Sequence, residues 1–338
     1  MTGAWGMARA ARAAGVCLLL TAVIAAPAPG ASPTELRVAL EAGGTLTWEL
    51  RVMQWLALDR RYGVQAQPVK FATKAAAETA LWGGAVDVKV DDWLFATRAR
   101  TQGFRVQAVD AFSRAVGGIV VAKDGPVRTI GDLRGRRIGV SGAADKSYLA
   151  LRAVAVSQFG FDPQKESQVL QVAPPLLSQL LERGEVDAIV QYWQFIPGLV
   201  ATGRFRELTS AVTLLRRLVP GVELPFLVVV ATDDAVRSKR DALRGFLTAL
   251  REAKNQLAVH TDLWDGLYGE DLLALTDRTL ETGLIARYRV GLPGPWDRAA
   301  IAGLATLTAR LVSVAGPEVV GVEKLDPAAY NVDLVAKR

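Results

Sequence analysis

The chain has 338 residues, of which 51% are hydrophobic, so it is long enough to bury a sizeable core in two domains. Its formal net charge of +6 comes from scattered Lys and Arg residues, and this pattern argues against a nucleic-acid partner. The single cysteine, Cys17, excludes a disulfide framework and a thiolate zinc site.

The N-terminus has the pattern of a secretory signal peptide. Arg9 and Arg12 precede an apolar run from 13 to 26, and small residues and prolines follow. We therefore predict a signal peptide over 1–31, with cleavage between 25 and 31. Its removal lowers the net charge to +4 and leaves a mature chain without cysteine, as suits an oxidising compartment. The alternative is a retained anchor helix, for which this apolar run is short.

Apolar periodicity in the first hundred mature residues predicts strands alternating with helices. The predicted strands are 35–40, 64–69 and 86–90, and the predicted helices are 46–62, 73–82 and about 93–102. This order is typical of a mostly parallel sheet flanked by helices.

A second α/β segment follows. We predict strands at 106–112, 118–122, 137–140 and 168–172, and helices at 129–133, 146–159 and 174–182. The continuous apolar run 226–232 predicts a buried strand that returns to the first of these two α/β segments. Helices are predicted at 234–260, 269–283 and 297–314. Segments around Leu208 and Leu214 have no firm assignment.

Two stretches one hundred residues apart resemble each other, 78–93 (ETALWGGAVDVKVDDW) and 178–193 (SQLLERGEVDAIVQYW). Six positions match: Leu81 and Leu181, Gly84 and Gly184, Val86 and Val186, Asp87 and Asp187, Val90 and Val190, Trp93 and Trp193. The repeat predicts two similar α/β lobes. Each presents an aromatic loop at the carboxyl end of a strand, where open α/β sheets bind ligands. The alternative, that helix–Gly–strand joints simply look alike, leaves the matched Trp unexplained.

Several segments together resemble a known family. They are ELRVAL at 35–40, IGDLRGRRIGV at 130–140, DKSYLALRA at 145–153 and APPLL at 173–177. The chain is similar to periplasmic substrate-binding proteins of ABC importers in the nitrate, sulfonate, taurine and thiamine-precursor group. The last two segments resemble its NMT1-like subset. The similarity runs from about 35 to 315.

The resemblance implies an α/β, two-lobed periplasmic binding protein fold of type II, which closes on a small molecule like a Venus flytrap. We assign 32–117 and 226–338 to lobe I and 118–225 to lobe II, with the two crossings near 113–120 and 221–228 as a hinge. The implied function is capture of a solute in the periplasm and its delivery to an ABC permease in the inner membrane with its ATPase. The implied protein is a monomer without cofactor or metal.

Two other functions are weighed against this one. A periplasmic sensor subunit would bind a ligand in the same way and signal to a membrane kinase. An enzyme on the same clamp fold is disfavoured because His260 is the only histidine and no thiol remains in the mature chain. Ser141 does not lie in a nucleophile elbow, since Ala143 takes the place of the final glycine.

Candidate ligand contacts lie in the turns that follow predicted strands. Backbone amides at the start of the 146–159 helix suit an anionic group, although Asp145 in the same turn can simply be the N-cap. Glycines in the turn at 43–45 let a ligand approach the backbone. Asp91 and Asp92 are able to accept bonds from an amine, although Asp92 can simply mark the start of a helix. Together with the aromatic residues, they favour a ligand with an amino or cationic part over bare nitrate.

Aromatic side chains are able to stack on a ligand, although each can equally pack in the core. Phe112 and Phe195 lie near strand ends without being assigned to the site. The predicted ligand-binding residues are Gly44, Thr45, Trp48, Asp91, Asp92, Trp93, Ser141, Gly142, Lys146, Ser147, Tyr192, Trp193 and Phe226.

Overall fold

The computed structural model describes residues 33–41, 44–115, 117–273 and 277–335. The predicted signal peptide and Gly43 lie outside these ranges. The strands within them are β1 (Thr34–Glu41), β2 (Val64–Phe71), β3 (Val88–Asp92), β4 (Val106–Ser113), β5 (Gly117–Ala122), β6 (Arg137–Val140), β7 (Gln168–Gln171), β8 (Ala188–Tyr192), β9 (Phe205–Ser210) and β10 (Leu227–Thr232).

The helices of the described residues lie between and after these strands. They are α1 (Leu46–Trp55), α2 (Leu58–Arg61), α3 (Lys74–Trp82), α4 (Phe95–Thr101), α5 (Lys146–Phe159), α6 (Pro163–Glu166), α7 (Pro174–Glu182), α8 (Ile196–Ala201), α9 (Ala211–Leu218), α10 (Asp233–Ser238), α11 (Arg240–Val259), α12 (Asp262–Gly269), α13 (Glu281–Val290), α14 (Arg298–Ala315) and α15 (Pro317–Val320). Short 3₁₀ helices occupy Ile130–Leu133, Arg278–Leu280 and Pro327–Ala329.

The strands form two five-stranded sheets of the same design. The first has the order β2-β1-β3-β10-β4 and the second the order β7-β6-β8-β5-β9. In each sheet, one strand runs antiparallel to both of its neighbours, β10 in the first and β5 in the second. The mostly parallel α/β sheets predicted from the alternation of elements are confirmed, and so is the buried strand at 226–232.

The structure also confirms the predicted repeat. Helix α3 and strand β3 recur as α7 and β8 at the same spacing of one hundred residues. The turns between them hold Gly84 at φ 69° and Gly184 at φ 70°, a left-handed conformation that favours glycine at both places.

An ion pair is repeated with the turns. Arg37 donates from Nη2 to Asp87 Oδ1 over 2.8 Å, and Arg137 makes the same bond to Asp187 over 2.8 Å. In both pairs the arginine backbone N–H also donates to the aspartate, over 2.8 and 2.9 Å. Only the first pair receives a further bond within the described residues, from Lys239 Nζ to Asp87 Oδ2 over 2.9 Å.

We expect Asp87→Asn to destabilise the protein by about 2 kcal/mol at neutral pH, because a buried carboxylate loses charge-assisted bonds. Burial opposes ionisation of Asp87, but bonds from Arg37 and Lys239 outweigh it and lower its pKa. Its stabilisation is therefore full above the unfolded pKa of about 4 and is lost as the pH falls through the lower folded value. Urea unfolding should therefore show a smaller difference from the parent at pH 3 than at pH 7.

Asp187→Asn is the matched control, since its side chain is 28% exposed against 7% for Asp87. It should cost less at pH 7. An equal cost for both variants, or a cost of Asp87→Asn that is as large at pH 3 as at pH 7, would contradict this prediction.

Two predicted helices are each broken in two. The 46–62 helix divides at Ala57, which adopts φ 49° and turns the chain so that Leu58 is buried while Leu56 is 40% exposed. The 234–260 helix divides at Lys239, whose backbone leaves helical geometry where its side chain bonds to Asp87.

Other differences are the helices α6, α8, α12 and α15, which were not predicted, and two further segments. The prediction of one helix over 269–283 is wrong, because α12 ends at Gly269 and α13 begins only at Glu281. The weak pieces around Leu208 and Leu214 are β9 and α9.

Helix α14 is long and apolar enough to cross a membrane by length and composition. Its Leu304, Leu307 and Leu311 are nevertheless buried in the core, which accounts for that apolarity.

Helix α14 also connects the two halves. Thr308 accepts a bond from the indole of Trp93 beside the first sheet, and the Val314 carbonyl accepts one from Arg152 on α5.

The chain crosses from the first sheet to the second between Ser113 and Gly117 and returns before Leu227. The crossings touch each other, because the Phe226 N–H donates to the Ser113 carbonyl over 2.9 Å. Arg114 of the first crossing also bonds to Glu223 of the second. The lobe boundaries and the hinge stay predictions.

Candidate functional site

A cleft of about 600 Å³ lies where the carboxyl ends of β1 and β3 face the start of α5 and the end of β8. It therefore combines strand ends from both sheets, the usual ligand position in open α/β folds. Its wall consists of Ala39, Glu41, Gly44, Thr45, Leu46, Lys74, Val90, Asp91, Asp92, Arg98, Phe112, Ala115, Ala144, Asp145, Lys146, Tyr192, Trp193, Gln194 and Leu227.

The structure brings together seven of the thirteen residues predicted to bind a ligand. Those at the wall are Gly44, Thr45, Asp91, Asp92, Lys146, Tyr192 and Trp193. The lining does not include Trp48, Trp93, Ser141, Gly142, Ser147 or Phe226. For all thirteen residues, a role in ligand binding stays a prediction.

Three of the six other residues are aromatic and lie in the core. Trp93 and Phe226 are fully buried and meet edge to face with ring centroids 5.3 Å apart. Trp48 is 4% exposed and donates its indole N–H to the Leu272 carbonyl over 2.8 Å. It supports Trp193 from behind, edge to face at 5.7 Å, and so fixes one aromatic wall of the cleft.

The turn before α5 is closed by its own carboxylate. Asp145 Oδ1 accepts the Tyr148 N–H over 2.9 Å, and its Oδ2 accepts the Ser141 hydroxyl over 2.6 Å. Asp145 is therefore the N-cap, as one of the two sequence interpretations expects. Ser147 is buried below the turn. Lys146 is the residue of this turn that brings a positive charge to the cleft, beside the carboxylate of Asp145.

A buried charge cluster forms the floor of the cleft on the first-sheet side. The side chains of Asp91 and Lys89 are 0% and 1% exposed, and Lys89 Nζ lies 2.5 Å from Asp91 Oδ2. Lys74 Nζ donates to Asp91 Oδ1 over 2.6 Å, and the Asp92 N–H donates to the same oxygen over 2.7 Å. With both oxygens engaged, Asp91 holds the floor together rather than offering a free acceptor.

Asp92 stands among three cations that come from both halves of the molecule. Its Oδ2 lies 3.6 Å from Arg98, 3.7 Å from Lys74 and 3.9 Å from Lys146. Burial alone would raise the pKa of Asp92, but these cations lower it. Burial lowers the pKa of Lys146, with Asp92 opposing the shift. The long distances leave N–H donors of Arg98 and Lys146 available to a ligand anion.

Sequence reasoning found Lys146 but missed the other two cations that line the cleft, Lys74 and Arg98. Lys74 is the first residue of α3, directly after the N-cap Thr73, and Arg98 lies in the first turns of α4. Helix α4 starts just after β3, whose carboxyl end forms the cleft, and α3 starts just after β2, which pairs with β1. A search of helix starts as well as strand ends would have found Lys74. Nothing in the local sequence distinguishes Arg98 from a solvated helix residue.

The comparisons with known proteins concern both sequence and fold. The sequence model of a family described as NMT1/THI5 like matches residues 61–262, more than half of the chain. No curated protein matches the sequence.

Solved structures of binding proteins superpose over nearly the whole chain. The periplasmic aliphatic sulphonate-binding protein SsuA from Escherichia coli gives a TM-score of 0.71 at 16% identity, covering 91% of this chain and 93% of that one. The alkanesulfonate-binding protein SsuA from Xanthomonas axonopodis pv. citri, bound to MOPS, gives 0.67 at 17% identity, covering 89% and 99%. The periplasmic nitrate-binding protein NrtA from Synechocystis PCC 6803 gives 0.62 at 12% identity, covering 89% and 87%. At such identities the likeness establishes the fold, and the predicted two-lobed periplasmic binding protein fold is confirmed.

Proposed function

Because the chain belongs to the NMT1/THI5-like family and has a two-lobed fold, we propose that it is the solute-binding component of an ABC-type importer. In this role it captures a small molecule in the cleft between the lobes, in the periplasm, and delivers it to a permease of the inner membrane with its ATPase. It acts as a monomer and catalyses no reaction. The observation that carries the proposal is the convergence of charged side chains from both sheets on one cleft.

The charges of the cleft favour a ligand that combines an anionic group with a donor group. The cleft is lined by three cations, Lys74, Arg98 and Lys146, and by four carboxylates, Glu41, Asp91, Asp92 and Asp145. A fourth cation, Lys89, lies behind the wall beside Asp91. Formal charges therefore balance, which does not favour bare nitrate. The related structures bind sulfonates or nitrate. An amino- or hydroxy-substituted sulfonate, or a thiamine-precursor-like aminopyrimidine, fits this balance better.

The test is a thermal-shift screen of residues 32–338 with nitrate, alkanesulfonates, taurine, aminopyrimidines and thiamine. A ligand present at about 100 times its Kd adds about 2.7 kcal/mol, which raises Tm by a few degrees at this size. A saturable shift supports the proposal. The proposal fails if no compound shifts Tm and native mass spectrometry finds no small molecule bound to the purified protein.

We expect Lys146→Met to weaken binding of an anionic ligand at least tenfold, because one charge-assisted hydrogen bond is lost. Isothermal titration calorimetry measures the change. Lys324→Met, an exposed position outside the cleft lining, is the control and should leave Kd unchanged. Equal affinities for the two variants would show that Lys146 does not contact the ligand.

A further inference from the structure

A small cavity of about 10 Å³ adjoins the cleft on the first-sheet side. It shares Thr45, Phe112, Ala115 and Trp193 with the cleft wall, so these side chains separate the two spaces. A space of this size holds about one water molecule or one small substituent of a ligand.

Glu49 of α1 lines this cavity, and one oxygen of its buried carboxylate has no hydrogen-bond donor among the described residues. The residue is 0% exposed. Its Oε1 accepts bonds from Lys254 Nζ over 2.6 Å and from the Tyr288 hydroxyl over 3.0 Å. Its Oε2 is buried and has no partner among the described residues. A buried acceptor left without a bond costs about 1–3 kcal/mol, so native structures normally provide a donor for it.

The surroundings of Glu49 select the kind of donor. Lys254 lies 3.6 Å from the centroid of the Phe112 ring, and with its pKa lowered by burial it already faces the carboxylate. Phe112, Trp193 and Tyr288 supply apolar walls. A volume of about 10 Å³ excludes a bulky group and matches the size of a single hydroxyl or amino group.

We propose that Glu49 Oε2 is a second anchoring point for the ligand, accepting a hydrogen bond from a hydroxyl or amino group that enters between Trp193 and Phe112. This inference rests on the proposed function, because it assumes that a solute occupies the cleft. It assigns the ligand to polar molecules with an anionic group for Arg98 and Lys146 and a donor at the other end. An analogue that lacks the donor leaves Oε2 without a bond and therefore binds more weakly.

Matched probe pairs test this anchoring point. Each pair consists of a linear ω-amino- or ω-hydroxyalkanesulfonate of two to four carbons and the unsubstituted alkanesulfonate of the same length. Calorimetry should show at least tenfold tighter binding of the substituted member at the chain length that spans the two anchors, a difference of about 1.4 kcal/mol.

Variants at the buried pair connect that preference to Glu49. The double variant Glu49→Leu/Lys254→Met removes both charges, which buried ion pairs commonly tolerate, and should bind both members of a pair equally. Glu49→Gln keeps the shape and should weaken the preference for the amine. Tyr288→Phe leaves Oε2 in place and should retain the preference. Circular dichroism melting checks that each variant is folded.

The outcomes separate this inference from the proposed function. Equal affinity of the parent protein for both members of every pair overturns the Glu49 anchor and leaves solute binding intact. A preference that survives in the double variant also overturns it. If none of these sulfonates binds, the assignment of the ligand is wrong, and the wider thermal-shift panel alone decides whether the protein binds solutes.

Discussion

Asp91→Ala should lower the free energy of unfolding by about 3–5 kcal/mol, the largest effect we expect from a single substitution at the cleft. The change leaves Lys89 with its ammonium group buried, 1% exposed, and removes its partner at 2.5 Å. Glu41 still lies 2.9 Å from Lys89, but its side chain is 28% exposed, so water screens its attraction for the ammonium group. Urea unfolding followed by far-UV circular dichroism measures the loss.

The second half of the repeat provides a matched rescue. At the positions of Lys89 and Asp91 it has Ile189 and Gln191, and the Gln191 Oε1 accepts the Tyr192 N–H over 2.8 Å as Asp91 accepts the next backbone N–H. The double variant Lys89→Ile/Asp91→Gln copies this neutral arrangement. It should recover most of the stability that Asp91→Ala loses. The prediction is contradicted if Asp91→Ala costs less than about 1 kcal/mol, or if the double variant is no more stable than Asp91→Ala. The Lys89–Asp91 pair would then contribute little to the free energy of unfolding.

Gly245→Ala should destabilise the protein by about 1–3 kcal/mol, the cost of forcing extra volume into a packed site. Gly245 lies inside α11, where helix propensity alone predicts that alanine stabilises by about 1 kcal/mol. A Cβ atom at this position, however, would overlap the backbone carbonyl oxygen of Tyr62, which follows α2. Since the opposing atom belongs to the backbone, relief requires α11 to move away from the chain beside it.

Gly198→Ala is the control for this prediction. Gly198 lies in the middle of α8, and the nearest atom to an added Cβ is a Leu280 methyl at 3.9 Å, an ordinary contact. Here the propensity gain of up to about 1 kcal/mol should appear without a steric cost. Opposite signs for the two variants in urea unfolding support the close approach of α11. A stabilising Gly245→Ala would contradict it.

Much of the fold follows from local sequence patterns. The strand at 226–232 is evident from a continuous apolar run, and Val228, Val229 and Val230 are all fully buried. The repeat is visible because Gly84 and Gly184 mark the same left-handed turn in both halves. The helix breaks at Ala57 and Lys239 were missed because their causes, the burial of Leu58 and a bond to Asp87, depend on tertiary contacts.

The site was less accessible to sequence reasoning than the fold. Trp93 and Trp193 occupy matching positions, yet Trp193 lines the cleft and Trp93 is buried. The difference lies in Thr308 of α14, which is distant in sequence and accepts the Trp93 indole N–H over 3.2 Å. The free acceptor of Glu49 was likewise invisible, since Lys254 and Tyr288 reach it from helices more than two hundred residues away.

The position of β10 sets the order in which the sheets can be completed during synthesis. The strands of the second sheet are consecutive and end at Ser210, so all are available once that residue has left the ribosome. In the first sheet β10 is inserted between β3 and β4, and β4 has to wait for a partner strand about 115 residues further on. The first sheet, whose strands begin earlier in the chain, is therefore the sheet that is completed last.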